Sequence, residues 1–375
     1  MSDELKRDRP SYLRLLETGA LKRRVEALET LLERCTVCPR DCLNNRSNNE
    51  IAACYSGRLP IVSSYTPHFG EEPPLTGSRG AGNIFFGNCN LRCVYCQNHQ
   101  ISQTHKEQIK NEVTHERLAD MMLELQERGC HNINFVSPTH FAPQMARAIL
   151  IAAEQGLNLP IVYNTNAYDS VEVLRLLDGI VDIYLPDLKY AEDEAGYVYS
   201  KVRGYRQCSR AAIAEMYRQT GDALVVDEQG LLRRGLVIRL LVLPNDLAGL
   251  RDSLDWIGSE LSSRVCVSLM AQYYPTNVAG TNQRYTLLSR RITESEWLRA
   301  VSTLGEFGFE NGWMQEYDGA AFYYRPDFSN RSTPFRDVRD FGPPISLPAA
   351  ADANEAAQPR ALPLVAGNPA RLHRS

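Results

Sequence analysis

Between about residues 83 and 325, short apolar runs alternate with amphipathic stretches of helical length. In each amphipathic stretch the apolar residues recur every three or four positions, which is typical of a helix with one buried face. Because strands that alternate with helices in this way are joined by right-handed crossovers, we predict six strand–helix units around a parallel sheet. The predicted strands are NIFF at 83–86, NINFVSP at 132–138, PIVYNTN at 160–166, VDIYLPDLKY at 181–190, GLVIRLLVLP at 235–244 and VCVSLMAQYYP at 265–275.

The number of units limits the choice of fold within the α/β class. Six units fall short of the eight that close a full barrel. The pattern alone therefore leaves two architectures, a partial barrel and an open doubly wound sheet. In both of them ligands bind at the carboxyl ends of the strands, so functional residues are expected there.

The segments on either side of this region follow other patterns. Residues 1–34 place Leu at three- to four-residue spacing between charges, which predicts helix. Residues 35–82 have little apolar periodicity and many Cys, Asn, Gly and Pro residues, so we expect an extension stapled by a metal. Residues 326–375 form a C-terminal extension, and from about residue 343 its Pro- and Ala-rich composition predicts disorder. The barrel itself is expected to span 83–325.

Composition and charge restrict the class of protein. The 375 residues include 41 Lys and Arg against 45 Asp and Glu, a formal net charge of −4, so the basic excess of a nucleic-acid-binding protein is missing. No stretch approaches the ~20 apolar residues that span a bilayer, and the charged N-terminus does not resemble a signal peptide. We therefore expect a cytoplasmic protein without a nucleic-acid or membrane partner. Seven of its ten cysteines fall into two tight groups, which indicates metal binding in a reducing compartment.

The first cysteine group follows the first predicted strand, in the loop GNCNLRCVYCQN. Cys89, Cys93 and Cys96 have the spacing C-x3-C-x2-C, which is short enough for three thiolates to converge on one metal centre. Three ligands would leave one iron of a 4Fe–4S cluster open, as a reactive site requires. The alternatives are a zinc ion completed by His99 or a distant thiol, and three unrelated thiols.

Polar residues follow the apolar part of several predicted strands. Asp187 and Lys189 are two residues apart on one strand and therefore point to the same face, and Asn164 and Asn166 do likewise on the preceding strand. Ser137 ends the second strand, and Arg239 interrupts an otherwise apolar strand. Each residue has a structural alternative, such as an ordinary ion pair between Asp187 and Lys189. Several of them at one edge of a sheet, beside a cysteine loop, favour a binding site.

The cysteine loop resembles that of the radical S-adenosylmethionine (SAM) superfamily, which has three cysteines at this spacing and an aromatic residue, here Tyr95, before the last. The resemblance implies a partial (β/α)6 TIM-type barrel, a 4Fe–4S cluster held by Cys89, Cys93 and Cys96, and SAM as the second cofactor. It also implies reductive cleavage of SAM to methionine and a 5′-deoxyadenosyl radical that abstracts a hydrogen atom.

Three further motifs resemble the activating enzymes of glycyl radical enzymes, such as pyruvate formate-lyase activase: DLK at 187–189, NTNAY at 164–168 and VIRLLVLP at 237–244. Over most of its length the chain resembles the PflX-type branch of that family. The resemblance implies that the SAM ribose and methionine are contacted by Asp187, Lys189 and Arg239, with Asn164 and Asn166 nearby and Tyr95 near the adenine. Where the activases have a glycine-rich GGE segment this chain has SPTH, so Ser137 or Thr139 would substitute with hydroxyl or backbone oxygens.

The second cysteine group has the spacing C-x2-C-x3-C-x11-C and comprises Cys35, Cys38, Cys42 and Cys54. Four thiolates complete a closed site, and the spacing fits zinc and an auxiliary iron–sulfur cluster equally. Disulfides are the remaining alternative.

Three functions are consistent with these patterns. The first is hydrogen abstraction from a glycyl residue of a glycyl radical enzyme, with flavodoxin or ferredoxin as electron donor. The second is radical modification of a small molecule or of another protein side chain. The third, from a different class, is a non-catalytic zinc-binding protein in which both cysteine groups are structural.

Overall fold

The computed structural model describes residues 9–318, 324–335 and 345–347. Within these ranges ten strands form one sheet in the order β1-β2-β3-β4-β5-β7-β8-β9-β10, with β6 paired to β7. The strands are β1 Val62–His68, β2 Ala81–Phe86, β3 Ile133–Val136, β4 Ile161–Thr165, β5 Ile183–Pro186, β6 Val225–Val226, β7 Leu232–Leu241, β8 Cys266–Met270, β9 Gly312–Met314 and β10 Ile345–Ser346.

The helices follow the strands as the amphipathic pattern predicts. They are α1 Ser11–Glu17, α2 Ala20–Thr30, α3 Pro73–Thr76, α4 His99–Ser102, α5 His105–Gln108, α6 His115–Glu127, α7 Ala142–Glu154, α8 Val171–Leu177, α9 Asp193–Ser200, α10 Tyr205–Thr220, α11 Leu250–Trp256 and α12 Glu294–Glu306. A π-helical segment, Ile257–Leu261, continues α11. Among the described residues no helix is long and apolar enough to cross a membrane.

The order of the strands decides between the two predicted architectures. β2, β3, β4, β5, β7, β8 and β9 run parallel, and each lies beside its predecessor in that order. A doubly wound sheet reverses its strand order at a switch point, whereas a barrel adds its strands in sequence. The α/β partial barrel is therefore confirmed, and its first six parallel strands are the six that the sequence predicts.

Four strands were not predicted, namely β1, β6, β9 and β10. β1 runs antiparallel to β2 and contains Pro67, which an edge strand tolerates, and its sequence VSSYTPH has no apolar alternation. β9 has three residues and pairs with β8 and β10. The segment for which disorder is predicted contributes β10 at 345–346, and its other residues apart from Leu347 lie outside the described ranges.

The N-terminal helices share the hydrophobic core of the barrel. Tyr12, Leu21 and Leu28 are fully buried within that core, and the Tyr12 hydroxyl donates to the Leu159 carbonyl over 3.0 Å. The following extension is attached through Arg46, which is 1% exposed and donates from Nη1 to the His140 carbonyl over 2.6 Å. The extension therefore packs directly on the barrel.

The interior of the barrel closes on an apolar floor. Apolar side chains that point into the barrel pack against Leu75 of α3 and form a buried cluster separate from the main core. The members of this cluster are Leu75, Val162, Ile183, Leu185, Leu232, Val237 and Cys266. Polar side chains lie above this cluster on the same faces, for example Asn164 above Val162 and Ser268 above Cys266. This separation places polar chemistry in the upper, carboxyl half of the barrel.

Candidate active site

The loop that carries the first cysteine group lies between β2 and α4, at the carboxyl edge of the sheet. Cys89 and Cys93 are each 9% exposed. Polar groups surround the three sulfur atoms: the Leu91 N–H and the Asn166 amide donate to Cys89 Sγ over 3.4 and 3.6 Å, Ser200 Oγ lies 3.0 Å from Cys93 Sγ, and Ser102 Oγ lies 3.2 Å from Cys96 Sγ. Each sulfur therefore has a donor that stabilises a thiolate, the form that binds metal.

The three thiols and their surroundings fit a 4Fe–4S cluster. Burial raises the pKa of Cys93 and raises that of Cys96 to about 12, while the Lys189 ammonium lowers both. Such thiols lose their protons readily only when a metal takes up the negative charge. A 4Fe–4S cluster binds each thiolate through a different iron atom, so the three sulfur atoms lie further apart than the ligands of a single ion.

Arg239 joins side chains from four elements at the centre of the barrel. Its Nε donates to Asp187 Oδ1 over 2.8 Å, its Nη1 to Glu71 Oε2 over 3.1 Å and its Nη2 to Asn164 Oδ1 over 2.6 Å. Lys189 Nζ donates to the second oxygen of Asp187 over 2.8 Å. The four residues of this network that were predicted as cofactor contacts, Arg239, Asp187, Asn164 and Lys189, thus lie together.

The charges in this network stabilise one another. Burial alone would raise the pKa of Asp187, but Arg239 and Lys189 outweigh it and hold that pKa below its usual value. Burial alone would lower the pKa of Lys189, but Asp187 and the Cys93 thiol raise it. The structure therefore holds a carboxylate and two cations, all ionised at neutral pH, beside the cysteine loop.

The other predicted contacts lie nearer to the loop. Asn166 donates from Nδ2 to Asn90 Oδ1 over 2.8 Å, in addition to its contact with Cys89. The Tyr95 hydroxyl donates to that of Tyr190 over 2.7 Å, and Tyr190 continues through Ser200 to Cys93. Ser137 has a left-handed backbone, with φ of 57°, and its N–H donates to the Asn164 carbonyl over 2.9 Å. It thus supports β4 through its backbone.

The structure adds residues that sequence reasoning missed. Glu71 accepts from the amides of Asn83 and Asn134, each over 2.9 Å, as well as from Arg239. Asn83 and Asn134 occupy the middle of apolar strands and are 1% and 0% exposed. An Asn within an apolar run of a parallel strand is a signal that could have found them, since such strands are usually apolar on both faces.

A cavity of about 110 Å³ lies inside the barrel against these groups. Glu71, Glu72, Asn164 and Arg239 line it, and Gln97 and Asn98, which follow Cys96 directly, border it. The cavity therefore extends from the cysteine loop to the interior polar network.

The second cysteine group lies in the extension beside the cysteine loop. All ten cysteines are unpaired thiols, so no disulfide joins this group. Burial raises the pKa of Cys38, the backbone at Arg40 lowers it, and the thiols of Cys54, Cys35 and Cys42 raise it, so the four thiols interact electrostatically. Within the described residues they do not converge as the ligands of a single ion do.

Arg92 connects the extension to the cysteine loop. Its guanidinium donates from Nη2 to the Ala53 carbonyl over 2.6 Å and from Nη1 to the Cys89 carbonyl. A second link is the Asn88 amide, which donates to the Tyr55 carbonyl over 2.9 Å. The cysteine loop is thus attached to the extension on both sides of Cys89.

Together, the singly wound partial barrel and its three clustered thiols at the carboxyl edge define the class of radical enzymes that use an open iron–sulfur cluster. The model of the Radical SAM superfamily matches residues 83–228. The uncharacterized protein MJ0674 of Methanocaldococcus jannaschii is 30% identical over 308 residues, which are 80% of this chain and 82% of that protein. The chain belongs to the radical SAM superfamily, whose members use a 4Fe–4S cluster and SAM.

Other similarities are more distant. The uncharacterized protein MJ0808 of the same organism is 26% identical over 182 residues, 44% of this chain and 51% of that protein. A radical SAM methyltransferase from Sphaerobacter thermophilus has a TM-score of 0.45 at 15% identity, over 65% of this chain and 69% of its own. HydG, a maturase of the [FeFe]-hydrogenase, has a TM-score of 0.43 at 11% identity, over 79% of this chain and 56% of its own.

Proposed function

We propose that this protein is a radical SAM enzyme that abstracts a hydrogen atom from a substrate bound in the barrel cavity. The observation that carries the proposal is the position of the cavity, which is bordered by Gln97 and Asn98 directly after Cys96 and by the Arg239 network. A 4Fe–4S cluster held by Cys89, Cys93 and Cys96 would supply the electron that cleaves SAM to methionine and a 5′-deoxyadenosyl radical.

The chain's own residues would bind and orient the cofactor. Lys189 and Arg239 are cations suited to the SAM carboxylate, and Asp187 is an acceptor suited to the ribose hydroxyls. Because these groups are already fixed by mutual hydrogen bonds, little ordering would be needed when the cofactor binds. Asn164 and Asn166 add amides on either side, and Tyr95 adds an aromatic surface. The buried position of the network also excludes bulk water from a reactive radical.

Two substrate classes have separate support. The DLK, NTNAY and VIRLLVLP motifs support the PflX-type, activating-enzyme interpretation, in which the substrate is a glycyl residue of a partner enzyme and flavodoxin or ferredoxin donates the electron. The polar cavity inside the barrel favours the second class, a small molecule that enters the barrel. The cytoplasm, where thiols remain reduced, suits both classes.

The second cysteine group is proposed to hold its own metal, zinc or an auxiliary iron–sulfur cluster. The electrostatic interaction among its four thiols supports this proposal, as does the small apolar core of the surrounding segment. Through Arg92 the same metal would stabilise the position of the cysteine loop.

Anaerobic reconstitution with iron and sulfide tests the radical chemistry. The reconstituted protein, given dithionite and SAM, should release 5′-deoxyadenosine, and Cys93→Ala should abolish that release. Cys208→Ala, which removes a partly exposed thiol on α10, is the matched control and should remain active. Colourless protein containing two zinc ions and releasing no 5′-deoxyadenosine would instead establish the zinc-binding alternative. A glycyl radical signal in electron paramagnetic resonance, on mixing with a glycyl radical enzyme, would establish the first substrate class.

A further inference from the structure

Glu72 lies at the bottom of the barrel cavity, next to the apolar floor. It precedes α3, whose Leu75 belongs to the floor cluster, and it interacts electrostatically with Cys266 of the same cluster. Its side chain lines the cavity together with Ser268, which is one inward-facing position above Cys266 on β8. A molecule in the cavity would therefore meet the Glu72 carboxylate close to the apolar floor.

The two neighbouring glutamates differ in their hydrogen bonds. Both oxygens of Glu71 accept hydrogen bonds, from Asn83, Asn134 and Arg239. Glu72 is 5% exposed, and no donor in the described part of the chain reaches its Oε2. A buried carboxylate oxygen without a partner costs about 1–3 kcal/mol or more, so folding alone gives no reason to keep it.

The charges around the cavity leave Glu72 with a counter-ion, Arg239, that it shares with two other carboxylates. Arg239 is the one Lys or Arg among the described lining residues, and it already contacts Glu71 and Asp187. Burial, followed by the charge of Arg239, lowers the pKa of His68 to about 3, so this lining side chain is neutral. Burial raises the pKa of Glu72 and the neighbouring Glu71 raises it further, although Arg239 and Ser268 act in the opposite direction. A cation placed at Oε2 would balance this excess negative charge.

We propose that Glu72 binds the protonated amine of a small substrate inside the barrel cavity. The inference rests on the proposed radical function and names the substrate class for it. An ammonium supplies both the missing donor and the missing positive charge, and a cavity of about 110 Å³ admits only a small molecule. A glycyl residue in a protein backbone offers a neutral amide instead, so the proposal favours the small-molecule class over glycyl activation.

Binding of simple probes tests this site in the anaerobically reconstituted enzyme with SAM present. n-Propylamine, n-propanol and propionate are titrated separately and followed by ligand-detected NMR. The wild-type protein should bind n-propylamine in preference to the other two. Glu72→Gln should weaken n-propylamine binding by about tenfold or more, since a hydrogen bond to a charged group is worth that much. Glu72→Asp should retain the preference for the amine, because it retains the charge.

Two controls separate amine binding at Glu72 from the loss of any carboxylate and from a loss of stability. Glu306→Gln, which removes a surface carboxylate paired with Arg251, should bind n-propylamine as the wild type does. Glu72→Gln should not lower the melting temperature, because the carboxylate oxygen it removes has no partner. Equal binding of amine and alcohol by the wild type would overturn the proposal, as would unchanged amine binding by Glu72→Gln.

The same preparations are assayed for 5′-deoxyadenosine in the absence of any probe. If amine binding depends on Glu72 but no 5′-deoxyadenosine forms, the radical function fails and the amine site stands. If 5′-deoxyadenosine forms but the amine preference is absent, the substrate class fails and the radical function stands.

Discussion

Arg239 on β7 and Asp187, directly after β5, form a 2.8 Å ion pair across two adjacent parallel strands. The backbones of the two residues also form a bridge, so the pair is fixed by the sheet as well as by its charges. Since Arg239 additionally contacts Glu71 and Asn164, one guanidinium links the lower part of the barrel to its carboxyl edge.

Arg239→Gln should therefore be strongly destabilising. The substitution leaves the carboxylates of Asp187 and Glu71 without their shared cation, and breaking a buried pair in this way costs about 3–5 kcal/mol. Urea unfolding measures the loss. Adding Glu71→Gln should recover part of it by removing one uncompensated charge, whereas Arg251→Gln, at an exposed ion pair, should have little effect. Similar losses for the Arg239 and Arg251 variants would show that the network is not structural.

Asp182 should make stability depend on pH. Its oxygens accept from the N–H groups of Ser11 and Ile161, over 2.8 and 3.0 Å, and thereby attach α1 to β4. Burial nevertheless raises its pKa from 3.8 to about 6. Because the folded form binds the proton more tightly, this group favours folding most at low pH, and that contribution falls as the pH rises through about 4 to 6. The full change is about 3 kcal/mol at 1.4 kcal/mol per pKa unit.

Asp182→Asn removes the titration and should flatten this dependence. The free energy of unfolding is measured at pH 5.0 and 7.5 for both proteins, and the difference between the two pH values is compared. If the free energy of unfolding changes between the two pH values by the same amount in the variant and the wild type, Asp182 is not the cause of the pH dependence.

Ser200→Ala should shift the reduction potential of the cluster. Ser200 Oγ lies 3.0 Å from Cys93 Sγ, and a hydroxyl that donates to a cluster thiolate stabilises the reduced, more negative form. Its loss should lower the potential by up to about 60 mV, equivalent for one electron to a charge-assisted hydrogen bond of about 1.4 kcal/mol. A redox titration followed by electron paramagnetic resonance measures the shift. Ser289→Ala, at a surface turn, should leave the potential unchanged, and an equal shift in both variants would contradict the assignment.

Cys38→Ala should remove the metal proposed for the second cysteine group, while Cys89, Cys93 and Cys96 still hold the cluster. Loss of one of four ligands should abolish that metal and expose residues 35–58 to hydrogen exchange, because the segment has little apolar core of its own. Metal analysis, exchange mass spectrometry and the cluster's visible spectrum measure the three quantities, with Cys208→Ala as control. Unchanged metal content and unchanged exchange would show that the group holds no metal.

Some of the strands and some of the site residues could be predicted from the sequence, and others could not. The first six parallel strands were recognised because each is a mostly apolar run, whereas β1 was missed because VSSYTPH is an edge strand with polar residues. Similarly, Asp187 and Lys189 were found through their spacing on one strand. Glu71 and Glu72 were not placed in the site, since a pair of acids before two prolines is indistinguishable in sequence from a surface loop.

By itself, the sequence determined the α/β class, the series of strand–helix units and the three thiols that can hold a cluster. These features depend on periodicity and on spacing within a few residues, which the local chain geometry transmits directly. Only the tertiary structure decided the barrel order of the strands, the link from Arg92 to the extension, and the position of Glu72 near Arg239. Those relationships join residues that are far apart along the chain, or they depend on which polar groups lack partners, and packing settles both.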